Sequence, residues 1–169
     1  MAILYDDKNK VFKLDTDATS YIFCLRYGKF LSHIYYGAKI DDTDLADYKA
    51  GQNYAFSPYV KEIGEGFSLD TDLQEYSGFG TGDMRASALC IRRADGCRDT
   101  LATYCGHEIV EGRLPLEGLP HSRNAEGVKT LVVTEEDPLS GARIRLCYSV
   151  YVKENVIARY QIIENCGKE

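Results

Sequence analysis

Residues 143–150 read Arg-Ile-Arg-Leu-Cys-Tyr-Ser-Val. Ile144, Leu146, Tyr148 and Val150 alternate with Arg143, Arg145, Cys147 and Ser149. Successive side chains of a strand point to opposite faces, so this period of two predicts a half-buried antiparallel strand. A helix would scatter the same apolar residues around its circumference. Short runs rich in Tyr, Ile, Val and Phe recur along the chain, separated by turn residues. Asp7-Lys8-Asn9-Lys10 parts Ile3–Asp6 from Val11–Thr16, and Tyr27-Gly28 parts Tyr21–Arg26 from Phe30–Tyr36. Asp95-Gly96 follows Ala88–Arg92 as a hairpin turn. Ser140-Gly141 lies between Thr130–Glu135 and Ala142–Tyr151, and Lys153-Glu154-Asn155 leads into Val156–Glu164. Tyr21–Leu25 is apolar on both faces, which predicts a more central strand. The expected fold is an all-β, antiparallel β-sandwich.

Helical pattern is confined to Asp42–Lys49, where Asp42 or Thr43 would cap two turns carrying Leu45 and Tyr48 on one face. Residues 50–66 and 112–128 read as long loops, a length usually tied to function or motion. With 169 residues and 44% hydrophobic content, the chain is expected to form a single domain, 1–169, with its own core. The formal charge of −6 disfavours nucleic acid as a partner. No run of 18 apolar residues suggests a membrane span, and no membrane partner is expected. The acidic start, Tyr5-Asp6-Asp7, has no signal-peptide pattern, so the cytoplasm is the expected compartment. Six cysteines form no Cys-x-x-Cys pair. Cys24, Cys90 and Cys147 lie in apolar stretches and read as buried free thiols. No short-spaced ligand pairs point to zinc, and no cofactor is expected.

Several motifs suggest chemistry and fail on inspection. Gly78-x-Gly80-x-Gly82 is followed by Asp83 rather than by the lysine of a phosphate loop. Ser87–Ile91 reads as a strand where a dinucleotide fingerprint needs a helix. The better reading is a tight turn whose glycines supply positive φ, with Asp83 and Arg85 bonding local backbone or each other. Asp70-x-Asp72 and Asp41-Asp42-x-Asp44 resemble calcium loops, yet Glu75 and Asp47 stand where glycine is required. These acids read as solvated turn and capping carboxylates. His33, His107 and His121 are well separated, and His33 reads as a packed, hydrogen-bonded side chain. Tyr35-Tyr36 and Tyr54 could stack on a sugar ring, although tyrosine is also simply enriched in strands.

The most specific block is Phe67-Ser68-Leu69-Asp70, then Gln74-Glu75-Tyr76, then Phe79-Gly80-Thr81-Gly82-Asp83-Met84-Arg85. Upstream stand Ser20-Tyr21-Ile22-Phe23, Leu31-Ser32-His33-Ile34-Tyr35-Tyr36-Gly37 and Ala55-Phe56-Ser57-Pro58. Downstream stand Gly118-Leu119-Pro120, Thr130-Leu131, Asn155-Val156-Ile157-Ala158-Arg159 and Glu164-Asn165. Over nearly the whole chain this ordered set resembles the amino-terminal region of glycoside hydrolase family 36 α-galactosidases.

The resemblance implies a piece of a larger sandwich, a β-supersandwich, followed in the family by a catalytic barrel. It implies a parent enzyme that removes terminal α-galactosyl residues from melibiose- or raffinose-type sugars by a retaining mechanism. Both catalytic aspartates of the family belong to the barrel, so no catalytic residue is expected here and the isolated chain should be inactive. The implied partners are that barrel, the α-galactoside and further copies of the chain, since the family is tetrameric. One substrate contact is implied. In the family, an acidic residue just upstream of Phe-Ser-Pro reaches the galactose pocket, and the matching position here is Asn53. Asn can donate to and accept from a hydroxyl; it can also simply form a turn. After Val156–Glu164 the family continues into more strands, and a missing strand would leave an unpaired edge. A free-standing carbohydrate-binding or protein-interaction module is the alternative.

Overall fold

The computed structural model describes residues 2–41, 56–64, 66–116, 118, 120, 122 and 126–167. Eight strands lie in this part: β1 (Ile3–Asp6), β2 (Val11–Asp15), β3 (Thr19–Arg26), β4 (Phe30–Ala38), β5 (Thr103–Glu111), β6 (Lys129–Asp137), β7 (Ala142–Tyr151) and β8 (Val156–Asn165). They form two four-stranded sheets, ordered β1-β2-β3-β4 and β5-β6-β7-β8. Every pairing is antiparallel, and each sheet is a meander of consecutive hairpins. There is no helix among the described residues. The short helix expected over Asp42–Lys49 lies outside the described residues.

The sheets share one core. Phe12, Leu14, Phe23 and Leu25 of the first sheet meet Leu131, Val133, Ile144, Leu146, Tyr148 and Val150 of the second. Phe12 stacks on Phe23 at 4.8 Å between ring centroids, and Phe23 stacks on Tyr148 across the interface at 5.3 Å. Each large apolar side chain buried here contributes about 1.5–3 kcal/mol. β3 is interior to its sheet, in keeping with its two apolar faces.

Local chemistry sets the hairpins. Tyr27 and Gly28 have φ of 52° and 70°, and the Lys29 amide donates to the Arg26 carbonyl at 3.0 Å. Positive φ at both central residues matches the twist of the flanking strands. The turn at Asp95-Gly96 forms, with the Gly96 amide donating to the Arg93 carbonyl at 3.0 Å.

Four expectations change. Ala88–Arg92 is not a named strand; Leu89 makes a single bridge to Gly78. β5 has no counterpart among the sequence-derived runs. Its alternation is broken by a bulge between Tyr104 and Gly106, and it is an edge strand with little full burial. β7 is not half-buried: Cys147 and Ser149, on the face away from the core, are also buried. The segment after β5 reaches that face, where Thr130 bonds both the Gly112 carbonyl (2.7 Å) and Ser149 (2.8 Å). Finally, Cys24 and Cys147 are buried as expected, but Cys90 is exposed because its segment never enters a sheet.

Candidate functional site

The segment 67–85 crosses the sandwich as a strap. Phe67 and Leu69 anchor it by packing with Phe30. The Ser68 hydroxyl bonds the Pro58 carbonyl and the Asp70 carboxylate. The strap adds a short rung to β4: the His33 amide donates to Leu73 and the Glu75 amide to Leu31, at 2.6 and 2.8 Å. Gly78 is required where the strap meets the backbone of Thr100. A Cβ there would lie 1.9 Å from the Thr100 carbonyl oxygen.

Three carboxylates fix the strap, each through an arginine. Asp72 pairs with Arg26 of β3 at 2.8 Å and accepts from the Ser32 hydroxyl of β4. Asp83 takes a forked contact from Arg85, Nε to Oδ1 and Nη2 to Oδ2, both 2.8 Å. The same guanidinium donates to the Leu69 and Asp72 carbonyls at 2.9 and 2.7 Å. Gln74 completes this knot by donating to Asp83 Oδ2 at 2.8 Å. Hydrogen bonding from Arg85 holds the Asp83 carboxyl below its ordinary range. The expected tight turn with an Asp83–Arg85 contact is therefore present, with φ of 81° and 87° at Gly80 and Gly82. The expectation of solvated acids in Asp70-x-Asp72 is corrected for Asp72, which is buried because Arg26 and the Ser32 hydroxyl replace water. Asp83 is buried too, with Arg85, its amide and Gln74 as donors.

Glu75 is the third carboxylate. Its Oε1 accepts from the hydroxyls of Tyr21 (β3) and Tyr148 (β7) at 2.6 and 2.9 Å. Arg159 of β8 reaches the same oxygen at 3.1 Å and the Glu75 main-chain carbonyl at 2.7 Å. His33 is packed against the same carboxylate, as anticipated, with Nδ1 3.5 Å from Oε2. Burial, with Glu75 adding to it, drives the Tyr21 and Tyr148 hydroxyls upward, so both remain donors. A polar cleft of about 410 Å³ opens here, lined by Tyr21, His33, Gln74, Glu75, Asp83 and Arg159 among others.

A hydrolytic pair needs one protonated acid and one free carboxylate facing a scissile bond. Glu75 and Asp83 are both paired with arginines. Behind them lies a carboxyl that the motif reading passed over. Glu135 of β6 is 2% exposed, and its Oε2 has no hydrogen-bond partner. Its position was legible: Leu131, Val133 and Glu135 share the core face by period two. Burial excludes it from any substrate. The cleft therefore holds the strap in place.

Asn53, the expected substrate contact, lies outside the described residues, as do Tyr54 and His121. Of the sugar-stacking candidates, Tyr36 is largely exposed, while the Tyr35 hydroxyl is bound to the Ala38 carbonyl at 2.8 Å.

The two-meander sandwich and its arginine-pinned strap define a class of accessory β-domain. The family model for the glycosyl hydrolase family 36 N-terminal domain matches residues 29–169, and the chain belongs to that family. It is 36% identical over its full length to the α-galactosidase AgaA of Geobacillus stearothermophilus, covering 24% of that protein. It is 34% identical to the α-galactosidase Mel36A of Lactobacillus acidophilus over 99% of the chain and 23% of the relative. Among solved structures, the α-galactosidase AgaB of Geobacillus stearothermophilus superposes with a TM-score of 0.91 at 34% identity, over the whole chain and 23% of AgaB. The chain thus spans about a quarter of the length of these relatives.

Proposed function

We propose that this chain is the non-catalytic N-terminal sandwich of a longer α-galactosidase. The parent enzyme would hydrolyse terminal α-galactosyl residues of oligosaccharides such as melibiose or raffinose, with the chemistry in a barrel domain beyond residues 1–169. The observation that carries this reading is the full-length match to one quarter of several α-galactosidases. The pairing of Glu75 and Asp83 with arginines supports the non-catalytic assignment. In this reading the sandwich walls one side of the galactose pocket through Asn53, works in the cytoplasm and helps copies of the enzyme associate.

The test has two arms. The 169-residue chain should not hydrolyse a nitrophenyl α-galactoside, and the longer protein carrying it should. Turnover by the chain alone that is abolished by substituting Asp70, Asp72 or Asp83 overturns the reading. In the longer protein, Asn53→Ala should weaken substrate binding by about 0.5–1.5 kcal/mol, the worth of one neutral hydrogen bond, seen mostly in KM. Asn53→Asp should keep activity. Unaltered kinetics in Asn53→Ala would remove this residue from the pocket.

A further inference from the structure

Beneath the strap, two buried polar atoms are left without partners: Glu135 Oε2 and the Tyr76 hydroxyl. A buried ionised carboxylate without hydrogen bonds or a counter-charge is among the costliest groups a fold can hold. Arg159 is the cation whose charge acts on Glu135, and both of its terminal nitrogens are engaged at Glu75. Nη1 holds the Glu75 carboxylate, Nη2 holds the Glu75 carbonyl, and the guanidinium lies over the Tyr148 ring at 5.3 Å. Two carboxyl groups therefore face one committed arginine.

We propose that Glu135 is a neutral, protonated acid in the folded sandwich, and that its ionisation releases the strap, making the 67–85 segment a latch opened by loss of a proton. The groups around it come from both sheets and from the strap, and Arg159 is the one that favours the charged form. From the strap come the Glu75 carboxylate and the Tyr76 hydroxyl. From β8 comes Arg159; β7 and β3 supply Tyr148 and Tyr21, whose hydroxyls face Glu75. β4 supplies His33 on the far oxygen of Glu75, and β5 places Tyr104 opposite Glu135 in the ladder. Burial first, then the Glu75 charge, opposed only by Arg159, pushes the Glu135 carboxyl up to about 8. Once ionised, Glu135 repels Glu75, and Glu75 is the anchor that ties the strap to β7, β8 and Tyr21 of β3.

The sign follows from proton linkage. A carboxyl raised in the closed state binds a proton there that it gives up when exposed. Opening is then favoured as pH rises from the ordinary carboxylate range toward about 8 and levels off above it, by about tenfold per pH unit at most.

Two measurements on the 169-residue chain test this. Infrared titration should show a protonated-carboxyl C=O band at neutral pH that disappears in a step near pH 8. The band should be missing in Glu135→Gln. Hydrogen exchange at the Glu75 amide, corrected for the intrinsic rate, should quicken with pH up to that step, while amides in β3 and β7 do not follow. In Glu135→Gln the corrected rate should be flat. Absence of the band at neutral pH, or an identical pH dependence in Glu135→Gln, overturns the proposal. Should Glu135→Gln fail to fold, Glu75→Gln supplies the test: with the repelling charge gone, the band must titrate at lower pH. An unmoved step there overturns the coupling.

Discussion

The strap and the outer face of β6–β8 pair arginines with carboxylates at the same separation. Arg26–Asp72 and Arg85–Asp83 in the strap, and Arg143–Glu136 and Arg145–Glu164 on the sheet, all measure 2.8 Å. They differ in burial. Asp72 and Asp83 have side chains 4% and 3% exposed, whereas Glu136 and Glu164 stand 43% and 41% exposed. Water screens the second pair of contacts and is displaced from the carboxylates of the first. Removing one member of a buried pair strands its partner, so the strap depends on its charges while the sheet face does not.

The largest test of this contrast is Asp72→Ala. It leaves Arg26, 14% exposed, without its counter-charge and takes the acceptor from Ser32. The expected loss is about 3–5 kcal/mol, read from the urea midpoint of unfolding. A loss no larger than that of a surface pair would erase the distinction.

Gly78→Ala probes how closely the strap is sewn down. The new methyl meets the Thr100 backbone, which has no flexible end to move aside. We expect a loss of about 1–3 kcal/mol in the same unfolding measurement.

A smaller effect concerns pH. Arg85 lowers the Asp83 carboxyl, so the contribution of this pair is complete above the ordinary carboxylate range and is lost as pH falls through the depressed value. Asp83→Asn should flatten the acid limb of the stability–pH profile and leave the neutral limb alone. Because Arg85 is 47% exposed, solvent screening keeps the effect modest. The smallest effect belongs to Arg143→Ala. Its unfolding midpoint should match the parent protein at low and at high salt, since both members of that pair are solvated.

The two regions were unequally legible in sequence. Seven of the eight strands announce themselves by alternation and by turn residues such as Tyr27-Gly28, because hairpin pairing is local. β5 hides because a bulge and Gly106 break its period and its edge position leaves few residues fully buried. The strap motif was visible as a motif, and the Asp83–Arg85 contact within it was expected, since two residues of separation set it. Its other anchors were not visible. Arg26, Ser32, Tyr148 and Arg159 lie far along the chain from their partners; folding the strap onto the first sheet brings Arg26 and Ser32 to Asp72, and docking of the second sheet brings Tyr148 and Arg159 to Glu75. Glu135 was readable by period two, yet an acid in a strand attracts no attention until burial is known.

The meander topology also orders events in time. Within each sheet, every strand pairs with its neighbour in sequence, and all of these pairings except β5–β6, which spans 112–128, close short loops that can form quickly. Joining the sheets closes the whole 39–102 connection, although each doubling of loop length adds only about 0.6 kcal/mol. The strap can begin to seat on the first sheet, through Phe30, Arg26 and Ser32, and its Glu75 anchor is complete only once Tyr148 and Arg159 of the second sheet arrive. One carboxylate thereby couples the closing of the strap to the joining of the sheets.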